Sequence, residues 1–333
     1  MTPHVVDGAN GEDYVSLRRR PMSRDERFAF GKSLRQRVSR ADLAIHTTDR
    51  SRPDPVALIQ TSHLGRVTSL IPIRVARMVG STYGFLRGSA VVMADDVANL
   101  PATGITPVVA GDAHLGNFGF YASPEGELVI DINDFDEAHP GGWEWDLRRL
   151  VASIWVAGRE NGAGEDRCAE AVISCVTAYR DQVWKLARQS LLSRSYARLD
   201  ADRLSATTSD VRLREVIKRS ARKARARTSD RALPRFTRED GQTRRIVEEP
   251  PLITRLDETE YAVVAAGLDD YLATLAPHWR RVLGGYHLGD IAHKAVGVGS
   301  VGLRSYVALL EGSSPSAVGY LPFKQGRRPW LAR

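Results

Sequence analysis

The chain has 333 residues, a formal net charge of +7 and a pI near 9.6, and arginine supplies most of the positive charge. It has no run of 18 apolar residues and no apolar segment in its polar N-terminus, so the sequence predicts neither a membrane span nor a secretory signal. Two cysteines, Cys168 and Cys175, are too few for a disulfide framework, and we expect buried thiols and a cytoplasmic location.

The N-terminal third predicts a flexible segment over residues 1–25, followed by helices. Residues 27–44 have the composition of a surface helix, and Pro53 and Pro55 predict an extended lead-in before the next helix. Three arginines then lie in an apolar and aromatic setting, where such side chains often bind phosphate or hold an acidic site. A structural ion pair is the alternative for each of Arg74, Arg77 and Arg87.

Residues 108–146 hold the densest set of carboxylates, amides and glycines. Two short apolar runs, 108–110 and 128–132, predict buried strands that each stop at a polar turn. If these strands lie side by side, their ends present oxygen ligands of the kind that Mg²⁺ prefers. The alternative is an acidic loop edge without an ion. The residues concerned are Asp112, His114, Asn117, Asp131, Asp134 and Asp136.

The spacing within this stretch resembles the catalytic loop and metal motif of protein kinases, and more closely those of aminoglycoside and choline phosphotransferases. Asn117 follows Asp112 by five residues, and Asp134 follows Asn117 by seventeen. The resemblance implies that Asp112 orients and deprotonates a substrate hydroxyl, while Asn117 and Asp134 bind Mg²⁺. It also places His114 in the catalytic loop, with a mainly structural role.

Three further carboxylates have implied or alternative roles near this loop. Asp136 is expected to add a water-mediated metal contact, and Asp131 is either part of the cluster or a structural carboxylate. Asp146, in Trp-Asp-Leu, corresponds to the Tyr-Asp-Leu-Ala element of the same phosphotransferases. We expect it to accept hydrogen bonds from backbone amides of the catalytic loop.

The C-terminal half begins with helices. Apolar residues at i, i+3, i+4, i+7 and i+8 predict an amphipathic helix over 147–155, and a second helix is expected over 169–192. Residues 199–245 are rich in arginine and lysine and predict a basic, partly mobile helical excursion. A binding surface for nucleic acid is possible there but not favoured. Helix is expected again over 261–283.

A Gly-x-Gly-x-x-Gly motif at Gly297, Gly299 and Gly302 lies before a strand-like segment. We expect strand, glycine turn and strand, which is the phosphate-covering loop of a kinase, with Ser300 inside it. A structural hairpin is the alternative. The motif follows the catalytic loop by about 180 residues, whereas in kinases it precedes that loop. This order predicts a permuted arrangement.

Four segments in sequence, GDAHLGNFG, DINDFDE, GGWEWDLRRL and GVGSVGLRSYVALLEG, resemble the bacterial DUF2252 family. The resemblance covers about residues 31–312 and implies an α+β, kinase-like fold with a mostly helical lobe around the catalytic loop. It divides the chain into a flexible N-terminus (1–25), a kinase-like domain (26–312) and a divergent C-terminal end (313–333). Within the domain we expect a catalytic core (108–195), the basic excursion (199–245) and the Gly-rich loop and strand (293–312).

The end of the chain departs from the family pattern. Lys324 is in the place of the phosphate-pairing lysine, but Gln325 and Gly326 replace the expected acidic and small residues. The chain therefore resembles a truncated or frameshifted copy.

These features predict a Mg²⁺- and ATP-dependent phosphotransferase acting on an unknown hydroxyl acceptor, a small molecule or a protein. The alternative is a nucleotide-binding pseudokinase impaired by its C-terminus. A metal-dependent phosphoesterase fits less well. The sequence Gly111 to His114 resembles the Gly-Asp-x-His motif of such enzymes, but no Gly-Asn-His element follows it, and none of the later histidines stands in a matching motif: His139, His278, His287 and His293.

Overall fold

The structure is a computed structural model that describes residues 20–46, 52–226, 236–240, 243–295, 297–314, 317–326 and 329–330. It contains both helices and antiparallel strands, which confirms the α+β class. The chain forms two compact units. Unit 1 comprises Met1–Leu64, Ala76–Leu204 and Arg327–Arg333, and unit 2 comprises Gly65–Val75 and Ser205–Gly326.

Unit 1 is mainly helical. The boundary with unit 2 falls within α3, and two β-pairs, β1 with β4 and β2 with β3, complete unit 1. Its helices are α1 (Arg24–Arg37), α2 (Pro55–Thr61), α3 (Ile71–Val79), α4 (Thr82–Gly88), α5 (Ala90–Ala98), α6 (Trp143–Glu160), α7 (Glu165–Ala187) and α8 (Leu191–Ser195), and its strands are β1 (Val108–Val109), β2 (Phe118–Ala122), β3 (Leu128–Ile132) and β4 (His139–Pro140).

Local chemistry explains where the first helices begin. Ser23 and Glu26 form a reciprocal capping box at the start of α1. The Asp54 carboxylate accepts hydrogen bonds from the first free amides of α2, and Pro55 occupies the first helical position, where its missing N–H costs nothing. The helix expected after Pro55 is therefore confirmed. The helix expected over residues 27–44 is present as α1 but ends earlier, at Arg37.

Unit 2 is built on a four-stranded antiparallel sheet with the order β10-β9-β8-β7. Apolar side chains cover both faces, one cluster containing Val307 and Leu309 and the other Ile291 and Ala308. Helix α9 (Ala201–Ala206) crosses the boundary between the units. The later elements of unit 2 are α10 (Val211–Arg225), β5 (Thr237–Asp240), β6 (Thr243–Ile246), β7 (Ile253–Arg255), α11 (Glu258–Thr274), α12 (Pro277–Leu283), β8 (His287–Lys294), β9 (Ser305–Glu311) and β10 (Val318–Lys324).

Two expectations differ from the structure. The strands β1 and β3 do not pair with each other: β1 pairs with β4, and β3 pairs with β2. The basic segment 199–245 is helical only in part, because β5 and β6 form an antiparallel hairpin within it. Most of the predicted flexible N-terminus, residues 1–19, lies outside the described residues.

Cys168 is buried as expected, whereas Cys175 is only partly buried. Within the described part of the chain, no helix combines the length and apolarity that crossing a bilayer requires.

Candidate functional site

The loop that carries Asp112 begins with a turn that only glycine can make. Gly111 follows β1 with φ +78°, and a Cβ atom there would lie 2.2 Å from the carbonyl oxygen of Glu137. The chain then passes through Asp112 and His114 into a 3₁₀ turn, Leu115–Asn117, which leads directly into β2. A close backbone approach therefore fixes the start of the loop.

Helix α6 holds this loop at two points. Asp146 Oδ2 accepts a hydrogen bond from Ala110 N at 2.7 Å, and Asp146 Oδ1 accepts one from Gly111 N at 2.9 Å. Two turns later, the fully buried Ser153 hydroxyl accepts one from Leu115 N at 3.0 Å. The role predicted for Asp146 is confirmed, and Ser153 is a second anchor that the sequence reasoning missed.

Burial raises the pKa of the Asp146 carboxyl, and the two backbone hydrogen bonds act in the opposite direction. Both carboxylate oxygens accept a hydrogen bond from a backbone amide, so this side chain shapes the start of the loop.

Asp112 is held by a buried arginine. The Arg149 Nε atom donates to Asp112 Oδ1 at 2.6 Å, and the side chains are 4% and 16% exposed. Arg149 Nη2 also donates to the carbonyl of Leu86 at 2.6 Å, and Nη1 lies 3.8 Å from the sulfur of Met93. The guanidinium therefore fixes Oδ1, one of the two oxygens of the candidate base.

The sequence reasoning missed Arg149 because, in the amphipathic helix predicted over 147–155, it assigned a role only to the apolar residues. A signal was present: Asp146, Arg149 and Ser153 stand at i, i+3 and i+7, which places three polar side chains on one helical face.

His114 lies beside Asp112 as a buried ring. It is 3% exposed, its Nε2 atom is 3.8 Å from Asp112 Oδ2, and Tyr83 packs edge-on at 6.3 Å between ring centroids. Burial lowers the pKa of His114; the Asp112 carboxylate opposes this, and Arg149 and Arg87 add to it. The separation from Asp112 exceeds a hydrogen bond, so the ring supports the loop by packing.

Asn117 is tied to the same loop and to the following hairpin. Its Nδ2 atom donates to the carbonyl oxygen of Asp112 at 2.8 Å, which leaves the amide oxygen, the atom a metal ion requires. Its own carbonyl accepts a hydrogen bond from Asn133 N at 2.9 Å. The β2–β3 hairpin thus brings the residue before Asp134 opposite Asn117, a route that differs from the expected pairing of β1 with β3.

The other carboxylates of this stretch have separate places. Asp134 is partly buried, and its Oδ1 atom lies 3.4 Å from the backbone N of the exposed Asp136. Asp131 is exposed on β3 opposite Gly119, and its Oδ1 atom accepts a hydrogen bond from Ile132 N.

Across the described ranges, no three or more acidic, histidine or cysteine side chains come together as a metal cluster. Asn117 and Asp134 could still supply one amide and one carboxylate oxygen. Such a pair suits Mg²⁺, which commonly takes its remaining ligands from water and from substrate phosphates.

The three arginines singled out in the sequence lie in different surroundings. Arg74 is buried in unit 2, whereas Arg77 and Arg87 belong to unit 1. Arg87 is the one whose charge acts on the pKa of His114.

The Gly-rich loop of unit 2 connects β8 to β9, as predicted. Gly297 and Gly302 have φ values of +74° and +86°, which favour glycine. The second half of the loop is fixed: Val301 is fully buried, Arg66 Nη1 donates to its carbonyl at 2.6 Å, and Val67 N donates to the carbonyl of Gly302 at 2.7 Å.

The first half of this loop is less enclosed. Gly297, Gly299 and Ser300 are partly buried, and the Ser300 carbonyl accepts a hydrogen bond from Leu303 N at 3.0 Å. Lys324 is the last residue of β10, is exposed, and pairs in register with Ser305, the first residue of β9. Unit 2 therefore carries a strand, a Gly-rich turn, a second strand and a third strand ending in lysine.

A family model described as "Uncharacterized protein conserved in bacteria (DUF2252)" matches residues 66–333. No curated protein and no solved structure matches the chain.

Proposed function

For a chain that belongs to the DUF2252 family, we propose a kinase-like phosphotransferase that uses Mg²⁺ and ATP to phosphorylate a hydroxyl acceptor. One observation carries this proposal: a single hydrogen-bonded framework links Asp112, Asn117 and the residue before Asp134. Kinase-like phosphotransfer requires this combination, an acceptor-orienting carboxylate beside an amide and a carboxylate for the metal.

In this proposal, the residues of unit 1 have separate roles in phosphotransfer. Asp112 Oδ2 accepts a hydrogen bond from the acceptor hydroxyl and orients its oxygen for attack, while Arg149 holds Oδ1. Asn117 and Asp134 would hold the magnesium ion, which when bound neutralises charge on the transferring phosphate. Asp146 and Ser153 keep the backbone of the loop in place throughout.

Unit 2 supports the nucleotide part of the proposal through its local structure. A Gly-rich turn between two antiparallel strands, with a lysine on the third, has the order of the phosphate-covering elements in kinases. Gly297, Gly299, Ser300 and Gly302 would approach the phosphates through their backbone, and Lys324 would add a positive charge.

A two-metal phosphoesterase is not favoured, because that chemistry needs several acidic and histidine ligands around a pair of ions. The described ranges contain no group of that composition.

The test is the thermal stability of the purified chain with and without Mg·ATP. A ligand at about 100 times its Kd stabilises the native state by about 2.7 kcal/mol. We expect this gain in the wild type, its loss in Asp134→Ala, and its retention in Asp131→Ala, which removes an exposed carboxylate from the same hairpin. A wild type that gains nothing, or an Asp134→Ala variant that gains as much, would contradict the proposal.

A further inference from the structure

Helix α10 carries seven cationic side chains and a single acidic one along 15 residues. Its buried side is formed by Ile217 and Ala221, which are 9% and 1% exposed. This helix is therefore a packed element of unit 2, with one side fixed and the other turned to solvent.

Three of the cations lie on the side opposite the buried residues. Arg212, Arg219 and Lys223 stand at i, i+7 and i+11, within about 20° of one line along the helix, and about 160° around from the mean direction of Ile217 and Ala221. The line is about 16 Å long at a rise of 1.5 Å per residue. All three side chains are exposed.

The described residues of the protein do not neutralise these three cations. The only acidic residue of the helix, Glu215, pairs with Lys218 at 3.6 Å. Within the part of the chain that the structure describes, the side chains of Arg212, Arg219 and Lys223 have no ion pair or hydrogen bond. A row of unpaired charges of one sign attracts a polyanion and favours its binding by releasing counterions.

We propose that the outward face of α10, defined by Arg212, Arg219 and Lys223, binds the phosphate backbone of double-stranded DNA without reading its sequence. B-form DNA presents one negative charge per ~1.7 Å of axis, and its major groove, about 12 Å wide, admits an α-helix. Arginine suits this ligand because its guanidinium can bind phosphate oxygens through two hydrogen bonds.

The helix composition distinguishes this ligand from two others. An amphipathic helix binds a bilayer through a continuous apolar face. In α10, Ile217 and Ala221 are packed inside unit 2, and the exposed Val211, Leu213 and Val216 are spread over about 200° of the helix circumference. Single strands are held by aromatic side chains that stack on bases, and α10 contains no aromatic residue. The DNA surface lies on a different element from Asp112, and its binding does not require phosphotransfer.

The experiment is fluorescence anisotropy of the full chain with a labelled mixed-sequence DNA duplex over a series of salt concentrations. Each phosphate contact contributes about −0.9 to the slope of log K against log salt. The triple variant Arg212→Gln/Arg219→Gln/Lys223→Gln should therefore make the slope shallower by about 2.7 and weaken binding at low salt by at least about tenfold.

The control removes the same total charge from other exposed cations, Arg167→Gln/Lys185→Gln/Arg281→Gln, none of which lies on α10. We expect it to keep the wild-type slope to within about one unit. Equal losses in the two triple variants would show attraction by net charge alone and would overturn the assignment of this face.

Three further results would overturn the proposal. They are a wild type that does not bind the duplex at low salt, tighter binding to an RNA duplex of the same sequence, and tighter binding to vesicles containing anionic lipid. Far-UV circular dichroism that matches between wild type and both triple variants establishes that the comparison is made on folded protein.

Discussion

The ion pair between Arg149 and Asp112 gives a sharp prediction for stability. In Arg149→Met, the Asp112 carboxylate, 16% exposed, loses its cationic partner, and the carbonyl of Leu86 loses a donor. Removing one member of a buried ion pair costs about 3–5 kcal/mol, because the remaining charge is left without compensation. Since Asp112 retains some contact with water, we expect the lower end of this range, about 3 kcal/mol.

The chain contains a matched control for this substitution. Arg159 Nε lies the same 2.6 Å from an oxygen of Glu165, but those side chains are 61% and 58% exposed. An exposed pair of this kind is screened by water and contributes little, so Arg159→Met should leave the free energy of unfolding nearly unchanged. The difference between the two variants reports the burial of the ion pair together with the loss of the hydrogen bond to the carbonyl of Leu86.

Urea unfolding followed by tryptophan fluorescence measures both costs. The signal reports mainly on unit 1, which contains Trp143, Trp145 and Trp155 in α6. In a double-mutant cycle, Arg149→Met and Asp112→Asn should show a coupling energy of about 1–3 kcal/mol. Equal costs for Arg149→Met and Arg159→Met, together with zero coupling, would refute the reasoning.

Two further predictions concern the anchors of the same loop. Asp146→Asn replaces an acceptor with an amide group facing the N–H of Ala110 or Gly111, so unfolding measurements should show a loss of about 1–3 kcal/mol, whereas an unchanged midpoint would contradict the anchoring role. Burial lowers the pKa of His114 in the folded state. The stability that its neutral form contributes is therefore fully present above the ordinary pKa of 6.5 and is lost as the pH falls from 6.5 to the lowered pKa. The loss is about 1.4 kcal/mol for each unit by which the pKa is lowered. The wild type should therefore lose more stability than His114→Gln between neutral and mildly acidic pH, and parallel pH profiles of their melting temperatures would contradict this.

Much of unit 1 could be predicted because its signals are local. The apolar period of α6 and the Asp-Pro start of α2 each depend on a few neighbouring residues. The contact of Asp146 with the loop amides was also predicted, from a motif whose geometry constrains the partner. In unit 2, the turn between β8 and β9 could be predicted for the same reason, because glycines bounded by apolar runs are a local signal for a turn.

The pairing of β1 with β4 could not be predicted in this way. Strands of two residues carry no periodic pattern, and their pairing is decided by the position of α6 and by the turn at Gly111. The partner of Arg149 was hidden for a related reason: a cation in an amphipathic helix usually faces water, and only the tertiary structure shows it buried against Asp112.

The β5–β6 hairpin was missed although the sequence carries its signal. Its strands are rich in charged residues, which favoured a basic helical interpretation, but the sequence there also contains an Asp-Gly dipeptide, which generally indicates a turn. The prediction of a helical segment over 199–245 followed the charge pattern and not this turn signal.

The measurement that tests the central claim most directly is binding of Mn·ATP, in which Mn²⁺ is a paramagnetic substitute for Mg²⁺, followed by the enhancement of the water-proton relaxation rate, which distinguishes protein-bound Mn·ATP from Mn·ATP in solution. Asn117 and Asp134 offer one amide and one carboxylate, so tight binding should require ATP, whose phosphates complete the ligand set. We predict that ATP promotes Mn²⁺ binding to the wild type and to Asp131→Ala but not to Asn117→Leu or Asp134→Ala. Equal binding by all four proteins, or none by the wild type with ATP, would contradict a nucleotide-dependent metal site at this hairpin.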